Sequence, residues 1–162
     1  MLEGFSPIIS KKPRILILGS MPSVTSLDKQ EYYAFKHNRF WKIMSNIYHM
    51  PITTYEEKKE IIYINQLILW DVIHTCEREG SLDSKIKHEQ VNPIDELFHT
   101  YPTIQRVLCN GKKSYQLYQK HFSHLPIECI SLPSTSNANR TIKEEALFQM
   151  WKDALMPYKK SL

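Results

Sequence analysis

Four short apolar runs punctuate the chain, at residues 14–19 (RILILG), 67–73 (LILWDVI), 104–110 (IQRVLCN) and 127–132 (IECISL). Each is continuous rather than alternating, the pattern of a strand covered on both faces. Helical spacing fills the intervals. Phe40, Ile43, Met44 and Ile47 recur at steps of three and four, as do Tyr115, Tyr118 and Phe122. A last stripe joins Leu147, Met150, Trp151, Ala154 and Leu155, and Thr141 with Glu144 offers a T-x-x-E capping box just before it. Asn92 and Pro93 suit the start of a helix over 94–101.

Alternating strands and helices predict a parallel sheet wound on both sides by right-handed crossovers. The expected fold is a single-domain α/β protein spanning 1–162, a three-layer α/β/α sandwich around a four-stranded parallel sheet. Ligands of such sheets sit beyond the carboxyl ends of the strands. That rule selects residues 19–23, 71–75, 110–112 and 132–139.

Composition narrows the class without naming a function. The chain has 162 residues, 42% hydrophobic and 23% charged, ordinary for a globular protein. No stretch approaches the roughly 20 apolar residues that span a bilayer, and residues 1–13 lack an apolar signal core. The expectation is a cytoplasmic protein without a membrane association. Cys76, Cys109 and Cys129 lie in apolar runs without metal spacing and read as buried, inert thiols. The histidines are scattered, with His37 the one beside interesting chemistry, so no metal site and no cofactor are expected. A net charge of +4 permits a polyanionic partner but does not demand one.

Three segments carry unusual chemistry, two of them at the selected ends. Gly19-Ser20-Met21-Pro22-Ser23 is a tight small-residue turn lacking the lysine of a phosphate-binding P-loop. Tyr32 to Trp41 interleaves aromatics with basic groups and one carboxamide, Asn38. Asn38 suits a helix cap, whereas the aromatics suit either packing or stacking on a base. Leu132 to Arg140 is rich in hydroxyls and amides, fit for phosphate oxygens or for an ordinary polar loop. Asp71, closing an apolar strand, either supports a pocket or caps the strand end. Lys112 and Lys113 open a helix and read as solvated or phosphate-facing, not as Schiff-base lysines.

Taken together and in order, GSMP, SL…YYA…NRFW, LWDVI…REGSLDS, NGKKSY and LPSTS…AN resemble the uracil-DNA glycosylase superfamily, closest to its hypoxanthine-directed (deoxyinosine) branch. The resemblance covers most of the chain. It implies a monofunctional enzyme that hydrolyses the N-glycosidic bond of a deaminated base in DNA, acting as a monomer during base excision repair. It also implies roles. Met21 stands where related branches keep a water-activating asparagine or aspartate, and the duty passes to Asn38 as the catalytic residue. Gly19, Ser20, Met21, Tyr33 and Asn110 would bind the base, Tyr33 by stacking and Asn110 by reading its edge. Pro133, Ser134, Thr135, Ser136, Asn139 and Arg140 would grip DNA. The chain departs from the family pattern at Phe35-Lys36, where H-P is usual, at Ser23 and at Asn137. These departures bear on the conformation near Asn38 and on the DNA-inserting tip.

An amide is no base at neutral pH, so Asn38 is expected to orient water through its carbonyl oxygen in a slow enzyme. Rival readings are uracil specificity, a catalytically silent DNA-binding relative, and an unrelated nucleotide- or phosphoester-binding α/β protein.

Overall fold

The structure is a computed structural model, and it describes residues 1–139 and 141–156. In chain order its elements are β1 (Leu2–Glu3), β2 (Ile8–Ile9), β3 (Ile15–Gly19), α1 (Val24–Lys29), α2 (Phe40–Tyr48), α3 (Tyr55–Ile64) and β4 (Leu67–Asp71). They continue with β5 (Ile73–Glu77), β6 (Lys87–Val91), α4 (Ile94–Thr100), β7 (Arg106–Asn110), α5 (Lys112–Phe122), β8 (Glu128–Leu132) and α6 (Glu144–Leu155).

The four apolar runs all become strands, and they pair in parallel in the order β4-β3-β7-β8. The sheet has five strands rather than the expected four, because β2 adds an antiparallel edge, Ile8 opposite Leu69 and Ile9 opposite Ile68. Two residues between Pro7 and the polar Ser10-Lys11-Lys12-Pro13 are too short to show a period.

Alternate residues of each central strand enter two different cores. Ile15, Ile17, Leu67 and Leu69 pack with α2, α3 and α6, while Leu16, Leu18, Ile68 and Trp70 pack with α4 and α5. Burial on both faces accounts for the unbroken apolar runs. The helices on either side complete three layers.

The run at 67–73 is not one strand. At Val72 the chain leaves the central sheet, and β5 enters a second, antiparallel sheet of order β1-β5-β6. Asn92 stabilises the departure, its Nδ2 donating to the carbonyls of Asp71 (2.8 Å) and Ile73 (3.2 Å). Val72 N donates to Gly19 O at 2.8 Å, tying this corner to the end of β3.

Side chains cap some helix starts and not others. Ser23 caps α1, and Thr54 with Glu57 forms a capping box on α3. The box expected from Thr141 and Glu144 does not form, because α6 begins at Glu144 itself with Lys143 at its cap. Thr141 Oγ1 instead donates to Asn139 Oδ1, and Glu144 pairs with Lys42 at 2.7 Å. Cys76, Cys109 and Cys129 are all free thiols. No helix among the described residues is long and apolar enough to cross a membrane.

Candidate active site

A cavity of about 600 Å³ opens at the carboxyl ends of the parallel strands, the position the sheet topology selects. The Gly19–Ser23 turn follows β3, Asp71 ends β4, Asn110 ends β7, and residues 134–139 follow β8; all of these line it. Tyr33 and Asn38, from the segment before α2, complete the wall. Of the residues assigned from sequence, Gly19, Ser20, Met21, Tyr33, Asn38, Asn110, Ser134, Thr135, Ser136 and Asn139 thus converge on one cavity. Pro133 stands behind it, its carbonyl accepting from Trp151 Nε1 at 3.1 Å. Arg140 lies outside the described residues. His37 is exposed and meets Phe35 edge-on instead of joining the wall. Among the described residues no acidic, histidine or cysteine cluster is arranged to hold a metal.

Thr135, fully buried, is the hub of the site. Its backbone N donates to Asn110 Oδ1 (3.0 Å), and Asn110 Nδ2 donates back to Thr135 Oγ1 (3.0 Å). The same Nδ2 donates to the Tyr33 hydroxyl at 3.1 Å. Both donors of the Asn110 amide are therefore engaged within the protein. Thr135 Oγ1 in turn donates to Asn38 Oδ1 at 2.9 Å.

Asn38 Oδ1 also accepts from Phe40 N at 2.9 Å, at the start of α2. A backbone N–H can only donate, so this contact fixes which end of the amide is oxygen. Both lone pairs of Oδ1 are filled. The free end is Nδ2, which makes no hydrogen bond among the described residues. The capping and cavity readings of Asn38 are compatible: one side chain secures the first turn of α2 with its oxygen and keeps an amide N–H₂ to spare.

Tyr33 has φ 52°, the left-handed region that an aromatic residue rarely adopts. Its ring stacks on Phe40, with centroids 4.3 Å apart and planes at 27°. Burial, with the Asp71 carboxylate near, pushes its hydroxyl well above the ordinary phenol range. Gly19 permits this convergence, since a Cβ there would overlap both the Asp71 carboxyl and the Tyr33 hydroxyl. Gly111, at φ 99°, leaves the end of β7 against Ser134 in a conformation suited to glycine.

Three contributors carried little or no sequence signal for their roles. Arg39 clamps the 135–139 loop by donating to the carbonyls of Thr135 (Nε, 3.3 Å), Ser136 (2.8 Å) and Asn139 (3.0 Å). The segment after β5 forms another wall: Arg78 donates to Gly80 O and Pro22 O, each at 2.7 Å, and Ser20 Oγ donates to Asp83 Oδ1 at 2.7 Å. Asp71 is only 4% exposed, and its Oδ2 has no hydrogen-bond partner among the described residues. Burial first, then the nearby Asp83, push its carboxyl up to about 7, against a smaller downward pull from Arg78. A charged residue closing an apolar strand was the signal for this one.

A three-layer α/β fold with a cavity beyond the carboxyl ends of its parallel strands is an architecture that binds small ligands there. Residues 6–155 match the Uracil DNA glycosylase superfamily. The chain is 37% identical over 140 residues to a hypoxanthine DNA glycosylase of Methanosarcina barkeri, covering 85% of this chain and 88% of that one. It is 36% identical, over the same shares, to a hypoxanthine DNA glycosylase of Methanosarcina acetivorans. A solution NMR structure of a candidate uracil DNA glycosylase from M. acetivorans superposes with a TM-score of 0.83 at 33% identity, covering 94% of this chain and 95% of that one. The chain belongs to the uracil DNA glycosylase superfamily, and so to the DNA glycosylases, hydrolases that act on N-glycosyl bonds.

Proposed function

We propose that the cavity receives a deaminated base, hypoxanthine foremost, swung out of DNA, and that the protein hydrolyses the bond joining it to the sugar. The observation that carries this reading is the convergence of Tyr33, Asn38 and Asn110 on one cavity of about 600 Å³, a volume in the range of small-molecule sites. The relatives named hypoxanthine DNA glycosylases support the choice of base.

Extruding a nucleotide costs a few kcal/mol, and less when the base is mispaired. Stacking against an aromatic ring at Tyr33 returns roughly 1–3 kcal/mol. Departure of the base leaves an oxocarbenium-like sugar, electrophilic enough that the attacking water needs a position more than a strong base. The free Nδ2 of Asn38 holds that water by donating to its oxygen, leaving a lone pair for the anomeric carbon. This refines the expectation that Oδ1 does so, because Oδ1 is filled by Phe40 N and Thr135 Oγ1. Reading of the base edge by Asn110 requires its amide to exchange a bond to Tyr33 or Thr135 for one to the base. The 134–139 loop, clamped by Arg39, grips the DNA strand. The reading includes a monomer acting in the cytoplasm, with residues 1–162 as one domain and no cofactor.

Oligonucleotides containing hypoxanthine, xanthine or uracil opposite each normal base test the reading. Abasic product from the hypoxanthine duplex ahead of the others is expected. Preference for uracil moves the assignment within the superfamily, and binding without product marks a silent relative.

A further inference from the structure

The cavity wall contains four titratable side chains among the described residues: Tyr32, Tyr33, Asp71 and Asp83. Tyr32 is engaged with the Ser6 carbonyl at 2.9 Å, and burial holds both phenols far above neutral. Asp83 accepts from Ser20 Oγ. Asp71 differs. It is buried at the end of β4, its Oδ1 in the space that Gly19 leaves open beside the Tyr33 hydroxyl and its Oδ2 without a hydrogen-bond partner among the described residues. The groups facing it are Tyr32, Tyr33, Asp83 and Arg78. The Arg78 guanidinium is held by two carbonyls, and no salt bridge to Asp71 forms. Among the described residues Asp71 forms no ion pair and its Oδ2 no hydrogen bond; burial without these favours the neutral acid, which then carries a proton and a vacant acceptor.

Resting on the proposed function, we infer that Asp71 is a further catalytic residue: the neutral acid that donates a proton to a departing purine. As the C1′–N9 bond breaks, its electron pair goes to the purine, and the Asp71 proton moves to an unprotonated ring nitrogen, leaving Asp71 as carboxylate. Water held at Asn38 forms the new C1′–O bond and releases one proton to solvent. Solvent returns a proton to Asp71, so the sum is addition of one water across the glycosidic bond. Neither amide in the site, Asn38 or Asn110, has a transferable proton at neutral pH. A pyrimidine that leaves as a stabilised anion has no need of the acid, so the dependence on Asp71 separates purine from pyrimidine substrates.

Asp71→Asn, close in shape and unable to give up a proton, tests this against wild type in single-turnover release of hypoxanthine and of 5-fluorouracil from duplex oligonucleotides, between about pH 5.5 and 9. Wild type should lose hypoxanthine release as pH rises through about 7. The variant should be slower by about 10²-fold or more on hypoxanthine at low pH, with a flat profile, and within about threefold of wild type on 5-fluorouracil. Its thermal midpoint should be no lower than wild type's. Asp71→Ser is run in parallel, so that a folding failure of one variant leaves the other to report. Wild-type rates in the variants, or equal loss on both bases, overturn the assignment of the acid while leaving the glycosylase reading intact. Release of no base by wild type overturns both.

Discussion

The hydroxyl of Thr135 donates to the carboxamide oxygen of Asn38 across 97 positions of sequence, at 2.9 Å. Through this one contact the loop after β8 and the first turn of α2 share an atom, while Asn110 reaches the same hydroxyl from β7. Two of the three sequence segments with unusual chemistry, 32–41 and 132–140, thus form one network with the end of β7. Thr135→Val keeps the shape and removes the link, leaving a donor of Asn110 unpartnered in a buried site. The expected result is a stability loss of about 1–3 kcal/mol in denaturant unfolding and slower base release, with Thr135→Ser close to wild type on both measures.

Asn38 is tested more sharply by aspartate than by alanine. Asn38→Asp keeps an acceptor for Phe40 N and Thr135 Oγ1, and a negative charge at a helix start is favourable, so the denaturation midpoint should change little. What it removes is the Nδ2 donor. If that donor holds the water, single-turnover release falls by about 10²-fold; a variant as fast as wild type sinks this role. Asn38→Ala should lose about 1 kcal/mol of stability as well, through the vacated cap.

Gly19→Ala places a methyl group where the Asp71 carboxyl and Tyr33 hydroxyl converge. Overpacking of this kind costs about 1–3 kcal/mol, and the side chains that must yield are those lining the cavity. We expect a lower thermal midpoint together with loss of base release. Full activity in Gly19→Ala would show that the convergence is not needed.

The parts of this picture visible in sequence share one cause. Strands β3, β4 and β7 are buried enough to require largely apolar runs, and the edge strand β8 follows them with Glu128 and Ser131 exposed. Their order with the helices dictates where a cavity must open. Strand β6, Lys87–Val91, is largely exposed, has His88 at φ 55°, and follows no alternation, so nothing marked it. The corner at Val72 was hidden because both of its flanks are apolar. Thr141 and Glu144 carried the right spacing for a cap, but a local hydrogen bond to Asn139 and an ion pair with Lys42 took both side chains. Tyr33, Asn38 and Asn110 were legible as a set only because motif order constrained them. That Asn38 turns its oxygen inward was not, since the partner Phe40 N belongs to the backbone.

Arg39 illustrates the same blindness. All its acceptors in the 135–139 loop are carbonyls, which every residue has, so no side-chain pattern announces the clamp. Arg39→Lys keeps the charge and loses the fork that spans several acceptors. The expected outcome is weaker binding to lesion-containing DNA, by about tenfold or 1.4 kcal/mol, with the cavity chemistry preserved in single-turnover rates at saturating protein. An unchanged affinity, measured by fluorescence anisotropy, would show that the loop holds its shape unaided.

Asp71 also makes a prediction independent of catalysis. Burial pushes its carboxyl up to about 7 in the folded protein, against the 3.8 of a solvated aspartate side chain. Between those limits the folded chain holds a proton that the unfolded chain has released, so the stability of the fold falls with rising pH across that window. The contribution is present in full below about pH 4 and lost above about pH 7. At one unit for 1.36 kcal/mol, the loss amounts to a few kcal/mol. Asp71→Asn has no such proton, so its stability relative to wild type should grow by that amount from acid to neutral pH, read from denaturant midpoints at several pH values. A constant difference would mean that Asp71 stays ionised in the folded protein, and the physical basis for a proton held in the cavity would be gone.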